Sequence, residues 1–115
     1  MLIDIENTEI YIQPGSTDLR KQINGLSIIV QEEMIKDPFS KTLFLFCNKN
    51  RKLLKLIYWD RNGFCLWLKR LEKDKFPWPK DKKEAQSISL EEFKLLLNGI
   101  DFWKAHQELS YTKVS

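Results

Sequence analysis

The chain has 115 residues, 43% hydrophobic and 30% charged, enough for one domain with a single core and too apolar for wholesale disorder. No apolar run approaches the roughly 20 residues that a membrane helix needs, and Met1-Leu2-Ile3-Asp4-Ile5-Glu6 lacks the positive start of a secretory signal. The net charge of +3 is small but unevenly spread. Twelve Lys or Arg residues face four acids between Lys49 and Lys83, whereas the other eighty residues carry seven basic and twelve acidic groups. Such segregation sets up a field suited to an anionic partner, of which nucleic acid is the commonest; a lysine-rich rim that keeps sheet edges solvated would carry the same composition.

In chain order, Glu9-Ile10-Tyr11-Ile12-Gln13 alternates polar and apolar and reads as a strand closed by Pro14-Gly15. Ser16 or Thr17 is expected to cap a helix, with Asp18 at the positive end of its dipole. Leu19, Ile23, Leu26, Val30 and Met34 then give one buried face as far as about Lys36, and Asp37-Pro38 ends it. Gly25 inside that helix costs about 1 kcal/mol relative to Ala, which points to a close neighbour there. Thr42 to Cys47 is apolar on both faces, as in a central strand covered on each side.

Lys52 to Asp60 and Phe64 to Leu71 read as two strands joined by Asn62-Gly63, the dipeptide of a type I′ hairpin. Counting back from that turn places Trp59 opposite Leu66, Ile57 opposite Leu68 and Lys55 opposite Arg70. On the other face Asp60 meets Cys65, Tyr58 meets Trp67 and Leu56 meets Lys69. Phe76-Pro77-Trp78-Pro79 is expected to be an extended or edge segment, followed by a charged loop from Lys80 to Glu84. Ser89 and Glu92 form a capping box, Ile88 and Phe93 a hydrophobic staple, and Asn98-Gly99 a helix end. Leu90, Phe93, Leu96 and Leu97 supply that helix's apolar face. The pattern weakens beyond Phe102, so the expectation is one domain over residues 1–115, ordered over about 8–102 with a looser tail over 103–115. The implied class is α+β, a small mostly antiparallel sheet with a central hairpin, packed by two helices. The first strand and the Leu43 strand could join as a right-handed β-α-β unit.

The chemistry is sparse. Cys47 and Cys65 are isolated thiols in apolar segments, read as small buried hydrophobes in a reducing cytoplasm. His106 is the only histidine and has no evident partner, paired zinc ligands are lacking, and no phosphate loop or serine nucleophile motif occurs. Asp18, Asp60 and Asp101 could be imagined as a metal-binding triad, but a helix start, a hairpin flank and a helix end explain them more simply. A catalytic role, a metal and a cofactor are therefore not expected. What remains is a basic and aromatic surface. Lys49, Arg51, Lys52, Lys55, Lys69 and Arg70 gather at the open end of the hairpin, with Arg61 at its tip, a pattern suited to holding phosphates. Trp59 reads as core. Tyr58 and Trp67 stand between core and partner binding, because an uncovered apolar hairpin face would point to a protein partner or a homodimer.

Five strings sharpen this picture: Thr17-Asp18-Leu19-Arg20-Lys21 with Asn24-Gly25-Leu26; Asp37-Pro38-Phe39-Ser40; Tyr58-Trp59-Asp60-Arg61-Asn62-Gly63-Phe64-Cys65-Leu66; Lys69-Arg70-Leu71-Glu72; and Phe76-Pro77-Trp78-Pro79. In this order and spacing the chain resembles the TnpB-type accessory protein, the second reading frame of the insertion-sequence-sixty-six transposon family, over roughly Pro14 to Phe102. The resemblance implies a non-catalytic cytoplasmic protein, encoded beside a separate DDE transposase and assisting it in DNA transposition. DNA and the transposase are the implied partners, with a membrane role not implied. It directs attention to Arg20, Lys21, Asp60, Arg61, Gly63, Lys69 and Arg70. Many relatives end in an arginine-rich tail, whereas only Lys104 and Lys113 follow the last motif here.

Overall fold

The computed structural model describes residues 5–103; Lys104, His106, Lys113 and the stretch expected to form a looser tail, save Trp103, lie outside them. After a 3-10 turn at Ile5–Asn7 come β1 (Glu9–Ile12), α1 (Ile23–Glu32), β2 (Thr42–Cys47), β3 (Leu53–Asp60), β4 (Gly63–Arg70), β5 (Gln86–Ser87) and α2 (Leu90–Leu97). The strands form one sheet in the order β4-β3-β2-β1-β5. All neighbours are antiparallel except β1 and β2, the two strands joined through α1. This is the α+β class expected, with the β3–β4 hairpin at one end of the sheet and β2 in its middle.

The middle strand explains the layering. Side chains alternate across a strand, and every residue of β2 is buried. Leu43, Leu45 and Cys47 enter a core with Ile10, Ile12, Leu54, Leu56, Tyr58, Phe76, Trp78, Phe93 and Leu96. Phe44 and Phe46 enter the opposite core with Leu19, Leu26, Ile29, Val30, Met34 and Ile57. One helix seals each face, so a sheet apolar on both sides is paid for by two amphipathic helices. Burial pushes the Cys47 thiol up to about 12, which makes it an inert packing group, and both cysteines are free.

α2 follows its local signals closely. The Ser89 hydroxyl accepts from the Glu92 N–H (3.1 Å) while the Glu92 carboxylate accepts from the Ser89 N–H (2.8 Å). Ile88 and Phe93, the staple pair, are both buried, and Gly99 turns the chain away at φ 72.

α1 departs from expectation at both ends. It starts at Ile23 after Gln22, without a side-chain cap. The residues expected to cap it serve a loop instead: the Thr17 N–H donates to the Cys47 carbonyl (2.8 Å), and Asp18 is engaged by Arg20. The helix ends at Glu32, before Lys36, because Ile35 adopts a left-handed φ of 54. Gly25 does have a close neighbour, since a β-carbon there would stand 3.0 Å from the Lys21 β-carbon.

The hairpin register is also corrected. Asp60 pairs with Gly63, Trp59 with Phe64, Tyr58 with Cys65, Ile57 with Leu66, Leu56 with Trp67, Lys55 with Leu68, Leu54 with Lys69 and Leu53 with Arg70. The loop is Arg61-Asn62, and the left-handed backbone falls on Arg61 (φ 53), leaving Gly63 inside the ladder. Partners move by two residues, so each side chain keeps its expected face.

Candidate nucleic-acid interface

β1 and β2 are parallel and end on the same side of the sheet, where β3 begins and β4 finishes. Three irregular segments meet there. The turn Asn48–Lys52 is held by Asn48, whose side-chain oxygen accepts from the N–H groups of Lys52 (3.2 Å) and Leu53 (3.1 Å), and it carries Arg51 at φ 61. The loop leaving β1 is fixed by Thr17, as described, and by Lys55. The Lys55 ammonium donates to the carbonyls of Leu19 (2.7 Å) and Lys21 (3.0 Å). The third segment, Phe76 to Lys83, is anchored by three groups. The Phe76 N–H donates to the Arg51 carbonyl (2.7 Å), the Gly15 N–H to the Pro79 carbonyl (2.9 Å), and the Trp78 indole to the carbonyls of Gln13 and Gly15 (both 3.0 Å).

Three adjoining clefts run between these segments. The first, about 790 Å³, is lined by Thr17, Asp18, Arg20, Asn48 and Lys49 among others. The second, about 280 Å³, shares Ser16, Asn48 and Lys49 with it and adds Arg51, Trp78 and Lys80. The third, about 620 Å³, shares Arg51, Trp78, Pro79 and Lys80 with the second and extends to Lys83, Asp101 and Trp103. Together they form one groove across the end of the sheet, with Arg20, Lys49, Arg51, Lys80 and Lys83 along it.

The nine expected cations fall into distinct groups. Arg20, Lys49 and Arg51 line the groove. Lys21 is exposed beside it, and Lys52 is half-buried in the turn. Lys55 requires a correction: it is only 6% exposed, and its ammonium is occupied by two backbone carbonyls, so it is a structural staple rather than a surface cation. Lys69 is corrected likewise, because its ammonium donates to the Leu97 carbonyl (2.6 Å) at the negative end of α2. Arg70 stands at the same end of the sheet but pairs with Glu72 (2.9 Å). Arg61 is at the far end of the hairpin, about 25 Å away by the rise of an eight-residue strand.

Asp18 is the acid nearest this set. The guanidinium of Arg20 contacts both its carboxylate oxygens (2.7 to 3.1 Å), and that hydrogen bonding holds the carboxyl down at about 2. Arg20 nonetheless leaves 91% of its side chain exposed. Asp18, Asp60 and Asp101 are not gathered as a triad: among the described residues no three His, Cys, Asp or Glu side chains stand together as metal ligands.

The aromatic expectations need correction too. Trp59 belongs to neither core; it is half-buried near the hairpin tip, edge-on to Phe39 and Phe64 (both 5.0 Å between ring centres). Tyr58 is 7% exposed and lies in the core under α2, so it offers no docking surface. Trp67 packs on the margin of that same core and is half-buried. Lys80, Lys83, Trp78 and Trp103 were missed as groove residues. The two lysines had a signal in the basic excess from Lys49 to Lys83, but only the fold shows that the Phe76–Lys83 segment returns beside the Asn48–Lys52 turn. Among the described residues no helix is long and apolar enough to cross a membrane.

The sequence model of the family described as IS66 Orf2 like protein matches residues 8–107. An uncharacterized protein of Sinorhizobium fredii strain NGR234, y4hO, is 38% identical over 108 residues, covering 94% of this chain and 93% of its own length. A second from the same strain, y4jC, is 35% identical and covers 86% of this chain and 85% of its own. No solved structure matches. The match of the family model, spanning all five motif strings and both helices, establishes that the chain belongs to the IS66 Orf2-like family of insertion-sequence proteins.

Proposed function

We propose that the chain is a non-catalytic accessory factor that assists a separate DDE transposase, and that it does so by contacting DNA through the basic groove at the ends of β1 and β2. The observation that carries this reading is the sorting of the cations. Arg20, Lys49, Arg51, Lys80 and Lys83 line one groove on a backbone fixed by Lys55 and Trp78, while Lys69 is committed to the fold. Cations carried on a held backbone suit phosphate binding, because little loop freedom is lost on association. Fluorescence anisotropy with duplex DNA at rising salt tests it. Binding that weakens steeply as salt rises is expected, and absence of binding at low salt defeats the reading.

A second, compatible reading is an adaptor that docks on the transposase or on a second copy of the chain. It is favoured by β4, an edge strand on which no residue is fully buried, with Leu68 53% exposed on the same face as the half-buried Leu66 and Phe64. Crosslinking to the transposase that is lost in a folded Leu68→Lys variant supports this reading; unchanged crosslinking removes β4 from it.

A further inference from the structure

The third cleft differs from the rest of the groove in adding Trp103 to the Trp78 edge that it shares with the second. Trp103 is half-buried, and its indole N–H donates to the Pro77 carbonyl (2.8 Å), which fixes the ring's orientation. Phe102 backs it at 4.3 Å between ring centres and is itself buried in the core under α2. Arg51, Lys80 and Lys83 line the same cleft, whose volume of about 620 Å³ falls within the range of small-molecule sites. An indole already held by a hydrogen bond and a second ring loses little freedom on stacking. Cations around it are where the phosphates flanking a stacked base would lie. The interior of duplex DNA buries its base faces in its own stack and offers no base to such a wall, whereas an unpaired nucleotide does.

We propose that this cleft binds an unpaired nucleotide, its base stacked on Trp103 and its phosphates held by Arg51, Lys80 and Lys83, so that the preferred ligand is single-stranded DNA or a frayed duplex end. This rests on the reading of the groove as a DNA site and adds the class of DNA recognised.

The test compares short oligothymidylate with a blunt duplex of equal phosphate number, using the full chain at low salt. Two ring variants are chosen to keep the fold: Trp103→Leu retains apolar volume without a stacking face, and Trp103→Phe restores the face without the hydrogen bond to Pro77. The expected result is tighter binding of oligothymidylate than of blunt duplex, a roughly tenfold loss of that binding in Trp103→Leu, substantial recovery in Trp103→Phe, and little change for blunt duplex in either. Equal oligothymidylate affinity in wild type and Trp103→Leu, with circular dichroism showing both folded, overturns the proposal. If blunt duplex still binds in that case and Lys49→Glu with Arg51→Glu abolishes it, the groove reading survives without the nucleotide site. If neither ligand binds, both fall.

Discussion

The two ends of the β3–β4 hairpin carry different chemistry on the same strands. At the end where β3 begins, the turn, the loop after β1 and the Phe76–Lys83 segment are tied together by backbone hydrogen bonds, the Lys55 ammonium and the Trp78 indole. Cations there are divided between those that hold the fold and those that line a groove. At the other end a two-residue loop carries Arg61, and beside it Phe39, Trp59 and Phe64 form an aromatic group with Phe39 56% exposed. A basic residue therefore means different things by position: Lys55 is part of the architecture, Lys49 is available, and Arg61 stands alone. Total charge does not reveal this; the hydrogen-bond partners do.

The largest expected effect tests the rigidity of the basic end. Phe76 is fully buried beneath the groove, and Phe76→Ala should cost about 3 to 5 kcal/mol in urea unfolding, the usual range for a large buried ring. Lys55→Met comes next. It keeps most of the apolar stem but leaves two inward-facing carbonyls without their donor, a loss of roughly 2 to 3 kcal/mol. It should also weaken DNA binding without removing any groove cation, which separates a staple from a contact. If Lys55→Met binds DNA as the wild type does, the platform is not held by this side chain.

At the other end the expected effects are smaller. Phe39→Ala removes one member of a surface aromatic group and should cost about 1 kcal/mol, with DNA affinity unchanged. The smallest effect is electrostatic. The Asp18 carboxyl should titrate near 2 by carbon-detected NMR and return toward 3.8 in Arg20→Ala. Because the folded value is depressed, the pair's contribution is present above the unfolded value of 3.8 and is lost as pH falls from there through about 2. The two proteins should thus differ by a constant amount near neutrality and converge in strong acid.

What was legible in the sequence was what local chemistry decides. The capping box, the staple and the Gly99 stop specify α2 within a dozen residues, and the unbroken apolar run from Thr42 to Cys47 announces a strand buried on both faces. The faces of the hairpin were also legible, since alternation survives a two-residue change of register. The register itself was not, because the left-handed backbone falls on Arg61, one residue before the Asn62-Gly63 pair expected to supply it. The start of α1 was misplaced for a related reason: Ser16, Thr17 and Asp18 are capping residue types, but here the Thr17 N–H goes to the Cys47 carbonyl and the Asp18 carboxylate to Arg20, contacts set by tertiary structure and loop geometry. Lysines committed to the fold were the least visible feature. Nothing in the local pattern distinguishes Lys55 or Lys69 from a solvated neighbour, and each is defined by a carbonyl 28 to 36 residues away. The groove combined both cases. Its cations Lys49 and Arg51 were legible in the basic cluster, whereas its third wall needed the fold to bring Trp78 to Gln13, 65 residues away.

The most direct test of the central claim is the salt dependence of DNA affinity in two charge-reversed proteins. One is Lys49→Glu with Arg51→Glu in the groove, the other Arg61→Glu at the hairpin tip. The groove variant should lose most of its binding at low salt, and any residual binding should have a log–log salt slope lower by about two. The tip variant should bind as the wild type does and unfold within about 0.5 kcal/mol of it, as exposed substitutions do, and circular dichroism should show the groove variant folded. Equal losses in the two variants, or a wild type whose affinity ignores salt, would contradict the assignment of the groove as the DNA-contacting surface.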